Sequence, residues 1–344
     1  MGRSPLASGV IRSASLTDYA EVARKFGLDP TRMLREFGLP AQCLERPDVF
    51  IPLEAVRRLL EASAERSGVE GFGLLMAEAR RLSNLGALGL LIREQPTLRL
   101  ALDVFLAYGR RLNEALFLDV EELADVVVLR EELVIGHGGA VRQSTELAVG
   151  VAFRMLRQFL GPAWRPRRVC FAHDTPRDLS IHQRIFGSHV EFGHDFNGIV
   201  CARADLARPN PEADPELARL AKRLLDAETP GIQAESSRGV REIVLILLGT
   251  GACSVDRVAQ HMGIDRRTIH RRLASEGQTF SRIVDAVRRE LVERYLKDGR
   301  KLTEVASLLG FSTASGFSHW YRRQHQERPS QRRSAIKAPA RQRK

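Results

Sequence analysis

The side chains best suited to do chemistry sit in a short basic segment, where Arg266, Arg267, His270, Arg271 and Arg272 fall between Gly263 and Gly277. Asp265 is a residue type that caps helix N-termini, so a helix is expected to start at Arg266 and to stop at Gly277. On that helix Arg267, His270 and Arg271 share the face turned away from the apolar residues Ile269 and Leu273. The guanidinium fork matches O6 and N7 of guanine in a major groove, so these three side chains are the predicted base readers. Arg266 and Arg272 flank them and are assigned to phosphates, which fix register and carry no sequence information.

A second constellation tests the enzyme reading. His173, Asp174, Asp178, His182, His189, Glu191, His194 and Asp195 crowd one segment, yet no His-Glu-x-x-His is present and the residues fall on successive strand, helix and turn signals. His173 is expected to hydrogen-bond within the fold. His137-Gly138-Gly139 is similar to an esterase oxyanion loop, but no Gly-x-Ser-x-Gly nucleophile elbow accompanies it. Gly71-Phe-Gly73 fails as a dinucleotide fingerprint because Met76 occupies the third glycine position. Cys43, Cys170, Cys201 and Cys253 form no Cys-x-x-Cys pair, which argues for reduced thiols and against a zinc knuckle. The expectation is therefore no enzyme, no cofactor and no metal site. A hydrolase or metal-dependent enzyme carrying a DNA-binding tail is the alternative.

The basic helix needs elements that position it. Ser254 caps an expected helix over residues 254–262, Gly263 turns the chain, and the basic helix follows; two short helices around a tight glycine turn form a helix-turn-helix. The unit recurs about 47 residues on: Val258-Ala259-x-x-Met262-Gly263 returns as Val305-Ala306-x-x-Leu309-Gly310. Ile264, Ile269 and Leu273 are matched by Phe311, Phe317 and Tyr321, with one extra residue before the third helix and Ser312 in the place of Asp265 as its cap. The outward positions of the second copy are weaker readers. Ser315, Ser318 and His319 are assigned modest base contacts, Ala314 none, and Gly316 costs its helix about 1 kcal/mol relative to alanine. Arg322 and Arg323 are assigned to phosphates, and Trp320 is expected to pack between helices.

Phe280, Ile283, Val284, Val287, Leu291 and Leu296 lie on one face of a continuous helix over residues 279–297, whose other face carries Arg282, Arg288, Arg289 and Arg294. At about 1.5 Å per residue it would measure about 28 Å. That approaches the roughly 34 Å between successive major grooves on one side of DNA. One chain could then place two recognition helices on one DNA face.

Charge is partitioned in the same way. The net charge is +11, and residues 236–344 alone carry +13 while residues 1–235 carry −2. A polyanion-binding domain attached to a near-neutral partner accounts for this. The 44% hydrophobic and 28% charged composition excludes disorder as the dominant state. No signal core is present and no apolar run approaches the roughly 18 residues of a membrane span, so a cytoplasmic protein without membrane contact is expected. A nonspecific nucleoid-packing protein is the remaining alternative to a sequence-specific regulator.

Residues 17–228 mix the two periodicities. Helices are expected over 51–66, 97–116, 143–160 and 215–227, and strands over 125–135, 168–172 and 198–202. The fold class is thus an α+β N-terminal sensor domain followed by an all-α domain with two helix-turn-helix units joined by a long helix. The boundaries expected are a flexible N-terminus at 1–16, the α+β domain at 17–228, a linker at 229–237, the DNA-binding domain at 238–333 and a basic disordered tail at 334–344.

The sequence resembles the AraC/XylS family of bacterial regulators. The resemblance is carried by Glu276-Gly-Gln-Thr-Phe280, the linking helix, and Val305-Ala-x-x-Leu-Gly-Phe-Ser-x-x-x-x-Phe317 through Pro329-Ser330 and Arg333. Gln326 stands where the family usually has glycine, and Arg328 where threonine is common. The first part is similar to the arabinose-binding-type domain of one branch, through Leu85-Gly-Ala-Leu-Gly89, Pro96-Thr-Leu-x-x-Ala-Leu102, Phe171-Ala-His-Asp-x-Pro176, Phe186-Gly187, Phe192-Gly193 and Asn197-Gly198. The resemblance implies double-stranded promoter DNA and RNA polymerase as partners, an unknown small-molecule effector, a homodimer, and activation as the direction of control.

Overall fold

Apolar periodicity resolves into seven strands and sixteen α-helices among the residues that the computed structural model describes, which are 10–109, 113, 116–133, 140–227, 236–249 and 253–337. The chain divides into two units, residues 1–230 and 231–344. The first comprises β1 (Val10–Arg12), α1 (Tyr19–Lys25), α2 (Pro30–Glu36), β2 (Phe50–Pro52), α3 (Leu53–Ser67), α4 (Phe72–Glu78), α5 (Ala87–Arg93) and α6 (Leu98–Tyr108). It continues with β3 (Leu116–Glu122), β4 (Val126–Leu133), α7 (Arg142–Leu160), β5 (Arg168–Cys170), α8 (Ser180–Phe186), β6 (Val190–Glu191), β7 (Asn197–Ala202) and α9 (Pro215–Ala227).

The sheet order is β3-β4-β7-β5-β6, antiparallel throughout except for the parallel β5–β6 pair. Val127 and Leu129 of β4 point into the core formed with Val149, Phe153, Leu156 and Leu160 of α7. Their spacing places those four residues on one stripe of α7. α7 crosses α4 with the backbones nearly touching: a Cβ on Gly73 would lie 2.1 Å from the Gln143 carbonyl oxygen, and one on Gly150 would lie 2.6 Å from Ala77. Tyr19, Leu34, Leu59 and Phe72 form a second core among α1 to α4.

The second unit is helical: α10 (Ser236–Gly249), α11 (Val255–His261), α12 (Arg266–Ser275), α13 (Phe280–Lys297), α14 (Leu302–Leu308), α15 (Ala314–His325) and α16 (Pro329–Lys337). α13 spans 18 residues, which corresponds to about 27 Å.

Several expectations need correction. The helix expected over 97–116 ends at Tyr108, and Leu116 already belongs to β3, because Leu116 to Glu122 pair in register with β4. Residues 10–16, read as part of a flexible N-terminus, form β1 and a buried 3-10 turn; β1 pairs with β2 and Leu16 joins the core. Residues 334–337, assigned to a disordered tail, continue α16, and residues 236 and 237 of the expected linker begin α10. Residues 1–9, His137-Gly138-Gly139, residues 229–235 of the linker and residues 338–344 of the basic tail lie outside the described residues.

Candidate nucleic-acid interface

The two helix-turn-helix units match bond for bond at their turns. Gly263 and Gly310 take φ of 62° and 68°, a left-handed conformation that costs a residue with a Cβ about 1–2 kcal/mol. In the first copy the Met262, Gly263 and Ile264 amides donate to the Val258, Gln260 and Ala259 carbonyls at 3.0, 3.0 and 3.1 Å. In the second, Leu309, Gly310 and Phe311 donate to Val305, Ser307 and Ala306 at 3.0, 2.8 and 2.9 Å. The repeat read in the sequence is therefore a repeat of hydrogen bonding.

Caps fix where each helix begins. The Ser254 hydroxyl accepts from the Arg257 amide at 3.2 Å, the Asp265 carboxylate from the Thr268 amide at 2.8 Å, and the Thr279 hydroxyl from the Arg282 amide at 3.3 Å. The bonds from Thr268 hold the Asp265 carboxyl below its ordinary range. Ser312 is not the cap of α15: Thr313 is, accepting from the Gly316 amide at 3.0 Å. The extra residue before this helix moves the cap one place along the chain.

Cores hold the helices in place. Ile269 and Leu273 of α12 are buried, as are Ile283 and Val287 of α13 and Val240, Ile243, Val244, Leu247 and Leu248 of α10. In the second copy Phe317, Trp320 and Tyr321 pack with Val292, Leu296, Val305 and Leu309. Trp320 lies between α15 and α13 and donates its indole N–H to Asp285 at 2.8 Å.

With Ile269 and Leu273 facing inward, α12 turns Arg267, His270 and Arg271 to solvent, and their side chains have no ion pair or hydrogen bond among the described residues. Arg266 lies 3.7 Å from Asp256, and both side chains are more than 60% exposed, so this pair is weak. Arg272 is half-buried in the last turn. On α15, Ser315, His319, Arg322 and Arg323 are exposed, whereas Ser318 is half-buried and donates its hydroxyl to the Ala314 carbonyl at 2.9 Å. That bond leaves Ser318 only acceptor capacity toward a base.

The arginine face of α13 is not a uniform solvent face. Arg282 and Arg289 are exposed, but Arg288 is half-buried, stacks 4.0 Å over the Phe311 ring and donates to the Leu309 carbonyl at 3.0 Å. Arg289 donates to Gln324 at 3.2 Å. Sequence periodicity missed the part played by Arg288, because the turn it closes lies 21 residues further along the chain. Glu293 was missed as well; it accepts from Arg332 at 2.9 Å and from the Tyr321 hydroxyl at 3.5 Å, which ties α16 and α15 to α13.

In the first unit the histidine-rich segment divides: His182 is buried and His173 half-buried against Glu146, His194 is half-buried, and Asp174, Asp178, His189, Glu191 and Asp195 are exposed. Glu146 is fully buried and accepts from His182 Nε2 at 3.1 Å and Arg142 Nε at 2.9 Å, with His173 Nε2 3.2 Å away. Burial raises its pKa, but the contacts with His173, His182 and Arg142 outweigh this and hold it at about 2. Cys170, Glu191 and His194 bring ligand atoms within 4.8 Å of one another, although burial pushes the Cys170 thiol up to about 11. The same unit contains an apolar cavity of about 210 Å³ between α3, α6, α7 and the β3–β4 hairpin. No helix among the described residues is long and apolar enough to cross a membrane.

Comparison with known proteins places these features. Residues 27–210 match the arabinose-binding domain of AraC transcription regulators, and residues 258–335 match a helix-turn-helix domain model. The HTH-type transcriptional regulator VirS of Mycobacterium tuberculosis is 31% identical over 328 residues, which covers 94% of this chain and 96% of that protein. The ornithine utilization regulator of Pseudomonas aeruginosa is 24% identical over 324 residues, 92% of this chain and 95% of that one. The crystal structure of the transcriptional regulator CdpR from Pseudomonas aeruginosa aligns over 92% of this chain and 98% of its own at 20% identity, with a TM-score of 0.43.

Proposed function

The chain belongs to the AraC/XylS family of helix-turn-helix transcription regulators, and we propose that it is an activator switched by a small molecule held in its first unit. Relatives over nearly its full length are helix-turn-helix transcriptional regulators, and its own N-terminal domain is of the effector-binding type. In the proposed complex α12 enters a major groove, Arg267, His270 and Arg271 read base edges, and Arg266 and Arg272 hold phosphates. α15 enters the next groove, where Ser315, Ser318 and His319 add weaker base contacts and Arg322 and Arg323 anchor the backbone.

The observation that carries this reading is the repeated turn followed by a helix whose three outward cationic or imidazole side chains have no internal partner among the described residues. Activation further requires contact with RNA polymerase. Pairing of two chains would cover the exposed stripe of Leu217, Leu220 and Leu224 on α9. Hydroxyl-radical footprinting on a fragment selected by the protein from random DNA tests the reading. Protection in two successive major grooves on one face supports it, and equal protection of random DNA contradicts it in favour of nonspecific packing.

A further inference from the structure

The cavity of the first unit is lined chiefly by hydrocarbon, including Leu60, Phe105, Leu118, Leu129, Leu147 and Met155. Glu131 breaks that lining. It sits two residues beyond Leu129 on the core-facing side of β4, is 5% exposed, and its Oε1 has no hydrogen-bond partner among the described residues. A carboxylate left unpaired in such a place costs several kcal/mol, so an unpartnered one is a rare feature of a folded interior.

Among the described residues, two of the three cations that also line the cavity are engaged elsewhere. The Arg80 guanidinium donates to the Ala14 and Ser15 carbonyls, and Arg12 is paired with Asp48. Arg81 is exposed at the rim. Burial pushes the Glu131 carboxyl up to about 8, with no opposing contribution from a cationic side chain among the described residues. Burial thus favours the neutral form of the Glu131 carboxyl, and among the described residues no cationic side chain offsets it.

We infer that this cavity is the effector site and that it takes a compact apolar molecule bearing one basic amine, whose ammonium group pairs with Glu131 while its hydrocarbon fills the leucine-lined space. The inference rests on the reading of the first unit as an effector-binding domain. It goes further by naming the residue that selects the ligand and the ligand's chemical class. Binding as the ammonium ion turns Glu131 into its carboxylate, so the proton of Glu131 leaves to solvent and charge is balanced within the site.

Calorimetric titration of the full chain with n-octylamine, 1-octanol and n-octanoate tests this. We expect the amine to bind at least about tenfold more tightly than the alcohol, and Glu131→Gln to remove that advantage while leaving alcohol binding unchanged. Titrations in buffers of different ionisation enthalpy at pH 7 are expected to show about one proton released per amine bound, and none in Glu131→Gln. Tighter binding of octanoate would assign the head group to the arginines and overturn the inference, as would an amine affinity indifferent to Glu131→Gln or no binding of any probe. Glu131→Leu controls for folding, because removing a buried unpaired carboxyl is expected to raise the unfolding midpoint. Amine binding without any change in DNA affinity or transcription would contradict the effector role and leave the amine site standing.

Discussion

The guanidinium of Arg288 lies 4.0 Å over the ring of Phe311 while its Nε donates to the Leu309 carbonyl at 3.0 Å, so a residue of the linking helix closes the turn of the second helix-turn-helix. Leu248 of α10 seals the other side, since a Cβ on Gly310 would lie 3.1 Å from its carbonyl oxygen. Arg288→Ala removes a half-buried cation–π contact and a charge-assisted hydrogen bond, and is expected to cost about 2–3 kcal/mol. Urea unfolding measures this; a loss below about 0.5 kcal/mol, the scale of an ordinary surface change, would show that Arg288 is a solvent-face residue after all.

Capping separates two adjacent hydroxyls. Thr313→Ala is expected to destabilise the second unit by about 1 kcal/mol, and Ser312→Ala by only a few tenths. Thermal unfolding of the two variants decides it, and the reverse order would restore Ser312 as the cap.

Gln326 ends α15 at φ 58°, in the left-handed region that favours glycine. The strain of a side chain there exceeds the chain entropy that glycine loses on folding, so Gln326→Gly is expected to stabilise by roughly 0.5–1 kcal/mol. A lowered unfolding midpoint would contradict this.

Glu146 predicts an acid limb. Its carboxyl is held at about 2 in the folded protein against an ordinary value of 4.5, so the folded state binds fewer protons than the unfolded chain between those pH values. The stabilisation is fully present above pH 4.5 and is lost as pH falls toward about 2. Urea unfolding at pH 7 and pH 3 is expected to show a steeper loss in the natural protein than in Glu146→Gln, amounting to about 3 kcal/mol at full protonation. Parallel pH profiles would mean that the histidine and arginine contacts do not hold the carboxylate.

How much was legible follows the range of the interactions. Gly263 and Gly310, Ser254 and Asp265 act within four residues of themselves, so turns and caps could be read directly, and the spacing of Ile283, Val287 and Leu296 sufficed for the linking helix. The helix expected over 97–116 ran too far because β3 exists by pairing with β4, a partner that periodicity around Leu116 does not contain. Arg288 was placed on a solvent face because the turn it closes lies 21 residues away. Glu131 was not singled out in the expected strand over 125–135, although its alternation with Val127 and Leu129 puts it on the buried face.

The central claim is that α12 reads bases through Arg271. Its most direct test is selection of binding sites from random DNA by the full chain and by Arg271→Ala, followed by affinity measurements on the selected site and on random duplex at one salt concentration. The account predicts a two-part site with a guanine that the variant no longer prefers, and a loss of about 1–3 kcal/mol on that site with little change on random DNA. Equal losses on both DNAs, or no preferred site for the natural protein, would contradict it.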